Sequence, residues 1–127
     1  MATTPFTFSG ALNLPGGPGL PNDAIPMVLA SNFTAQAEFK LELLSSGTQV
    51  VDLGTITTPG VKGLLILVAA NTTAAPVEVR INGSSTGGIE ISPGGLMAVG
   101  SPSPVTGITS ISIVYTTTNS VRLWALG

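Results

Sequence analysis

Cysteine and histidine are both absent from this 127-residue chain, and their absence excludes several kinds of chemistry. Without cysteine there can be no disulfide bond, thiol nucleophile or cysteine metal site. Without histidine the chain lacks the usual general base near neutral pH, the Ser-His-Asp arrangement and the commonest metal ligand. We therefore predict no catalytic, metal-binding or cofactor-binding residues and expect that the protein is not an enzyme.

Charged residues are also scarce, at 8% of the chain compared with about 25% in an average soluble domain. The net charge is −2, and the four cations, Lys40, Lys62, Arg80 and Arg122, are scattered along the chain. Binding to nucleic acid or to an anionic membrane surface depends on clustered cations, so we expect neither partner. A free monomer needs a solvated surface, and this chain has few charged residues to provide one. We therefore predict that much of its surface is buried against other subunits.

Long apolar runs are missing as well. The longest, GLLILVAA at 63–70, is far shorter than the roughly 20 residues that a membrane helix requires. The first ten residues, MATTPFTFSG, lack the cationic start and the apolar core of a signal peptide. We expect a soluble protein that is made in the cytoplasm.

Residues 1–23 are rich in proline and glycine and contain one charge, Asp23. The stretch LPGGPGLP resembles a phosphate-binding loop in its glycines only, since it lacks the lysine and the following helix. Proline is disfavoured in helices and central strands, while glycine allows turns. We therefore predict an extended N-terminal arm. Its large apolar residues are expected to anchor it on a partner: Phe6, Phe8, Leu12, Leu14 and Leu20.

Residues 24–127 consist of short apolar segments separated by Gly, Pro, Asn, Ser and Thr, and we assign them to one β domain. PVEVRING at 76–83 and AEFKLELL at 37–44 alternate with the period of a strand, although a short helix is the alternative for the second. The continuous run in GLLILVAA is typical of a strand that is buried on both faces. About eight or nine short strands at this spacing predict an all-β fold, a two-sheet antiparallel sandwich of the jelly-roll type.

Turn residues between these segments predict three hairpins. SSGT at 45–48 closes the segment at 37–44, GSST at 83–86 joins 76–83 to 87–92, and TN at 118–119 joins 107–117 to 120–127. In the second hairpin we expect Glu90 to be the cross-strand partner of Arg80.

One pair of acids, Glu78 and Glu90, falls close enough together to consider a glycosidase, which needs two carboxylates beside a cleft. Exposed hairpin charges that share Arg80 are the better interpretation of this pair.

Two aromatic residues near the C-terminus, Trp124 and Tyr115, are possible exposed contacts and could stack on sugar rings. The alternation of the last strand places Trp124 on the face opposite Val121, Leu123 and Ala125, so Trp124 could point outward. A role in the core or in a subunit contact is the better interpretation of Trp124.

LLILVAANTTAAPVEVRINGSSTGGIEISPGGLMAVG at 64–100, followed by ITSISIVYTTTNSVRLWALG at 108–127, resembles the small virion proteins of tailed bacteriophages. Many capsid-decoration (cement) and tail-associated proteins of that kind are charge-poor β-sandwiches with an extended N-terminal arm, and they often form trimers. The resemblance implies a decoration protein on the outer capsid surface of the virion. Its implied partners are further copies of the chain, as a homotrimer, and the major capsid protein or another virion protein.

Two alternatives remain from the sequence. The first is another virion component, such as part of a tail, baseplate or fibre. The second is a carbohydrate-binding β-sandwich module that uses Trp124 and Tyr115.

Overall fold

The computed structural model describes residues 4–14, 16, 18–19, 23–33, 35–57, 60–100 and 108–127. These residues form ten strands and a short 3-10 helix at Gly54–Thr57. The strands are β1 Thr4–Leu14, β2 Asp23–Phe33, β3 Gln36–Leu43, β4 Gly47–Val51, β5 Gly63–Val68, β6 Val77–Ile81, β7 Ile89–Ile91, β8 Leu96–Gly100, β9 Ile111–Tyr115 and β10 Asn119–Leu126. In this part of the chain, no helix has the length and apolar character needed to cross a membrane.

Strands β3 to β10 build a sandwich of two antiparallel four-stranded sheets, which confirms the predicted fold class. The first sheet has the order β3-β10-β5-β8 and the second has the order β4-β9-β6-β7. The antiparallel pairs are nested, since β3 pairs with β10, β4 with β9, β5 with β8 and β6 with β7. The chain therefore follows one long double strand, rolled so that successive pairs alternate between the sheets, which is the jelly-roll arrangement.

The core lies between the two sheets and is filled by alternate residues of their strands. Ile66 and Leu123 of the first sheet and Val79 and Ile113 of the second sheet are almost completely buried. Full burial of each such side chain contributes about 1.5–3 kcal/mol. The strand preferred for AEFKLELL is confirmed as β3, whose odd-numbered residues pack against this core while its even-numbered residues are exposed.

Two of the three predicted hairpins are wrong. The turn after β3 carries the chain to β4 in the other sheet, and the turn after β9 carries it to β10 in the other sheet. These two crossings lie side by side, because the Ser45 backbone N–H donates to Thr118 Oγ1 at 3.2 Å. Turn residues mark the end of a strand but do not determine which sheet the next strand joins. The third prediction is confirmed, since β6 and β7 form a hairpin.

The N-terminal region folds as a hairpin in which β1 and β2 form a separate two-stranded sheet. Phe6, Phe8, Leu12 and Leu14 lie in β1, whereas Leu20 lies outside the described residues. The described strand of the predicted arm, β1, is thus paired: its partner is residues 23–33, most of which we assigned to the sandwich. In the part of the chain that is described, no sandwich strand joins this sheet. The division into an arm and a sandwich domain stays a prediction.

Candidate functional site on the first sheet and the hairpin

The outer face of the first sheet carries a row of apolar residues that alternate with the core residues. Trp124 of β10, Leu65 of β5 and Ala98 of β8 are direct neighbours across the sheet. Leu67 and Leu96 are neighbours in the adjacent row. Leu96 is 60% exposed, Ala98 is exposed, and the other three residues are half-buried. We call these five residues the apolar stripe.

The sequence of β5 explains why this face is apolar. β5 reads GLLILV, and its inward residues Leu64, Ile66 and Val68 are buried in the core. The expectation that this strand is buried on both faces is wrong, because Leu65 and Leu67 on the outer face are only half-buried. A sheet with one solvated face ordinarily alternates apolar and polar residues. The outward leucines therefore exceed what the core requires and are typical of a surface that another molecule covers.

Arg122 and Glu38 border the apolar stripe next to Trp124. Arg122 Nη2 donates to Glu38 Oε1 at 2.8 Å, and the guanidinium carbon of Arg122 lies 4.7 Å from the centroid of the Trp124 ring. The Arg122 hydrogen bond holds the pKa of the Glu38 carboxyl below its ordinary value. Both side chains are about half exposed, so the ion pair adds little to stability. The ion pair holds Arg122 beside the indole ring, at the border of the uncharged stripe.

A groove of about 450 Å³ continues the stripe past Leu67 and Leu96. It is lined by small and apolar residues, with Ser120 and Arg122 on its β10 side. Gly94 has a φ of 83° and its N–H donates to the Val68 carbonyl at 3.0 Å, so the tight turn before β8 follows β5 closely. The groove extends the apolar surface toward the β7–β8 turn.

The hairpin also has one strongly apolar face. Directly paired residues of an antiparallel ladder lie on the same face, and the register pairs Phe8 with Leu29 and Leu12 with Ile25. The large apolar residues on this face, which we call the apolar hairpin face, are Phe6, Phe8, Leu12, Leu14, Ile25, Met27, Leu29 and Phe33. Small and polar residues, two prolines and a valine occupy the opposite face.

Half of the apolar hairpin face was missed by the sequence analysis. We predicted Phe6, Phe8, Leu12 and Leu14 as anchors but assigned residues 24–33, which form most of β2, to the sandwich. The signal was present, because Ile25, Met27 and Leu29 alternate with smaller residues at the period of a strand.

Trp124 and Tyr115, the proposed sugar-stacking pair, lie on different sheets. Trp124 lies on the outer face of the first sheet, on the side opposite Leu123 as predicted, and is half-buried. Tyr115 is in β9 of the second sheet and packs against the core. The two rings therefore do not form one sugar-binding surface.

Glu78 and Glu90 are paired across β6 and β7, as the predicted hairpin requires. Arg80, however, binds Glu78 instead of the expected Glu90: Arg80 Nε donates to Glu78 Oε1 at 2.8 Å. Arg80 lies beyond the last β7 pair, Val79 with Ile89, whereas Glu78 is on the same face two residues away. The Arg80 hydrogen bond lowers the pKa of the Glu78 carboxyl. A glycosidase acid needs a raised pKa, so the arrangement favours a structural ion pair.

Known proteins offer no further guide to this surface. No family model, curated protein or solved structure matches the chain significantly. Among the residues that the structure describes, no three His, Cys, Asp or Glu residues are grouped as a metal site would require. The apolar stripe and the apolar hairpin face are therefore the features on which a functional interpretation can be built.

Proposed function

We propose that this protein is a structural virion protein of the capsid-decoration (cement) type, which binds the outer capsid surface and stabilises the head through apolar subunit contacts. The observation that carries the proposal is the register of the hairpin, which gathers eight large apolar residues on one face. An isolated two-stranded sheet is marginally stable at best in water, so such a face needs a partner surface. A protein of this design is suited to assembly.

The partners in this proposal are further copies of the chain, as a homotrimer, and the major capsid protein. The scarcity of charge supports contacts of this kind, because only 8% of residues are charged. Apolar contacts are weakened little by added salt, whereas contacts between exposed charges are screened. A shell component that must remain attached at different ionic strengths benefits from the first kind of contact.

A tail, baseplate or fibre component would use the same surfaces, and the test below distinguishes these positions from the head. The carbohydrate-binding alternative has less support, because Trp124 and Tyr115 lie on different sheets. A single tryptophan beside Arg122 is the only part of such a site that the described residues retain.

Immunogold electron microscopy tests the proposal directly. Virus particles are purified on a density gradient from a lysate of host cells that carry the gene. The purified particles are then labelled with antibodies against the chain. We expect gold over the heads, and particles from a lysate lacking the gene serve as the control. Label confined to the tails would overturn the decoration role. Unlabelled particles, with the chain recovered only as free protein, would overturn any role in the virion.

A further inference from the structure

We infer that the pair Asn82–Gly83, in the turn that follows β6, is a modification site gated by the fold. The side-chain amide of Asn82 is lost as ammonia only when this turn opens. The inference goes beyond the proposed function and does not depend on it, so either can fail while the other stands. It rests on the residue pair, on the conformation of the turn and on the hydrogen bonds that hold Asn82.

An asparagine that is followed by glycine can react with its own backbone. The Gly83 nitrogen gives its proton to solvent and bonds to Cγ of Asn82, and Nδ2 of Asn82 leaves as ammonia. The product is a five-membered succinimide ring, which water opens at one of its two carbonyl carbons. One opening leaves aspartate at position 82 and the other leaves isoaspartate. Gly83 has no side chain to hinder ring closure, and both residues are exposed to water.

The closed turn has a conformation in which this reaction cannot occur. The Ser84 N–H donates to the Ile81 carbonyl at 3.2 Å. Between them, φ is 54° at Asn82 and 72° at Gly83, which identifies a type I′ turn. Ring closure requires the Gly83 nitrogen to eclipse Cβ of Asn82 about the Cα–C bond. A residue in the left-handed region has a ψ of about +30 to +60°, which places that nitrogen on the side away from Cβ.

The residues just before β9 hold Asn82 in the closed turn. Asn82 Oδ1 accepts from the Thr109 N–H at 2.7 Å, from Thr109 Oγ1 at 3.1 Å and from the Ser110 N–H at 3.3 Å. The Asn82 N–H donates to the Ser110 carbonyl at 2.9 Å, so the main chain and the side chain of Asn82 are bound to the same segment. The reaction needs both Cγ of Asn82 and the following peptide to move, and it therefore competes with these hydrogen bonds.

The isoaspartate product makes the opening irreversible. Isoaspartate inserts one additional carbon into the main chain between Ile81 and Ser84, so the hydrogen bond that closes the turn cannot form again in the same geometry. The aspartate product leaves the main chain unchanged, and its carboxylate can accept the same hydrogen bonds from Thr109 and Ser110. A chain that opens and forms isoaspartate therefore carries a permanent chemical record of the opening.

Peptide mapping by mass spectrometry tests the gate. The folded full-length chain and a synthetic peptide of residues 76–88, which lacks Thr109 and Ser110, are kept in the same mildly alkaline buffer. The measured quantity is the rate at which the amide of Asn82 is replaced by a carboxyl. We expect the folded chain to react about tenfold or more slowly than the peptide, because only the small fraction of molecules with an open turn can react. The full-length chain in guanidinium chloride should react at the rate of the peptide.

Asn71 provides an internal control in the full-length samples. It is also exposed, but it is followed by Thr72, whose branched side chain hinders ring closure. We expect little reaction at Asn71 in the folded chain and in guanidinium chloride. A rise at Asn82 that is not accompanied by a rise at Asn71 then reports the opening of the turn and not a general effect of the denaturant.

A matched pair of variants tests the hydrogen bonds to Asn82. Thr109→Val removes the hydroxyl that donates to Asn82 Oδ1 and keeps a side chain of similar shape. We expect several-fold faster reaction at Asn82 with an unchanged circular dichroism spectrum, since the turn opens more often. Thr48→Val removes an exposed hydroxyl of β4 beside Val114, farther along β9 from the turn, and should leave the rate unchanged.

Three results would contradict the inference. Equal rates in the folded chain and in the peptide would show that the fold does not gate the reaction. A peptide that does not react at Asn82 would show that the pair is not a modification site. A folded Thr109→Val chain that reacts at the native rate would reject the role of the Thr109 hydroxyl. If Thr109→Val does not fold, the comparison of the native chain with and without guanidinium chloride still decides whether the fold gates the site.

Discussion

Leu123 and Trp124 are adjacent in β10 and show how one residue step changes the role of a side chain. Leu123 has no exposed surface and lies between the two sheets, whereas Trp124 is half-buried on the outer face. The alternation of a strand is sufficient to predict this difference from the sequence. The stacking of Arg122 on the Trp124 ring was not predictable, because it depends on Glu38 of the neighbouring strand, which binds Arg122.

Alanine substitutions at these two positions are expected to separate folding from association. Leu123→Ala leaves a cavity in the core and should lower the free energy of unfolding by about 2–5 kcal/mol. Trp124→Ala removes a large aromatic side chain from the apolar stripe and, under the proposed function, should weaken association by about 2 kcal/mol or more. Urea unfolding followed by circular dichroism measures the first effect on diluted, dissociated chains, and sedimentation measures the second. Equal destabilisation of the dissociated chain by both substitutions would contradict the outward role of Trp124.

At the scale of the elements, the sequence predicted strands well and their partners poorly. AEFKLELL was predicted as a strand from its alternation, and β3 confirms it. The SSGT and TN turns were predicted to close hairpins, but each carries the chain to the other sheet. A turn that closes a hairpin and a turn that crosses between sheets use the same types of residue. Only the long-range pairing of β3 with β10 and of β4 with β9 therefore decides which of the two is formed.

The hairpin contributes no strand to either sheet of the sandwich, so its removal is a test at the same scale. We expect a chain without residues 1–33 to retain a folded sandwich, because both four-stranded sheets are complete without β1 and β2. It should lose association, because the apolar hairpin face is gone. Circular dichroism and amide hydrogen exchange measure the folding, and light scattering measures the mass.

Removal of residues 1–23 alone is the informative comparison for this deletion. It removes β1 and leaves β2 with an unpaired apolar edge, a known route to aggregation. We expect this shorter deletion to be less soluble than the longer one. A longer deletion that fails to fold would show that the hairpin is part of the core.

The molecule as a whole combines a closed core with two apolar surfaces that the core does not need. The nested strand pairs enclose one core between the two sheets, and the all-β, two-sheet prediction from strand spacing is correct at this scale. The apolar stripe escaped the sequence analysis because a continuous apolar strand has the same pattern whether its outer face is covered within the chain or by another copy. The scarcity of charge did predict buried subunit surface, and this expectation stays a prediction.

Static light scattering of the purified full-length chain, at several protein concentrations and at low and high salt, tests the central claim most directly. The account predicts a mass three times that of the 12.7 kDa chain, unchanged between the two salt concentrations because few charges are available to be screened. A mass of 12.7 kDa at every concentration would contradict the account, since both apolar surfaces would then be stable in water alone. A trimer that dissociates steeply in moderate salt would contradict the apolar nature of the contact.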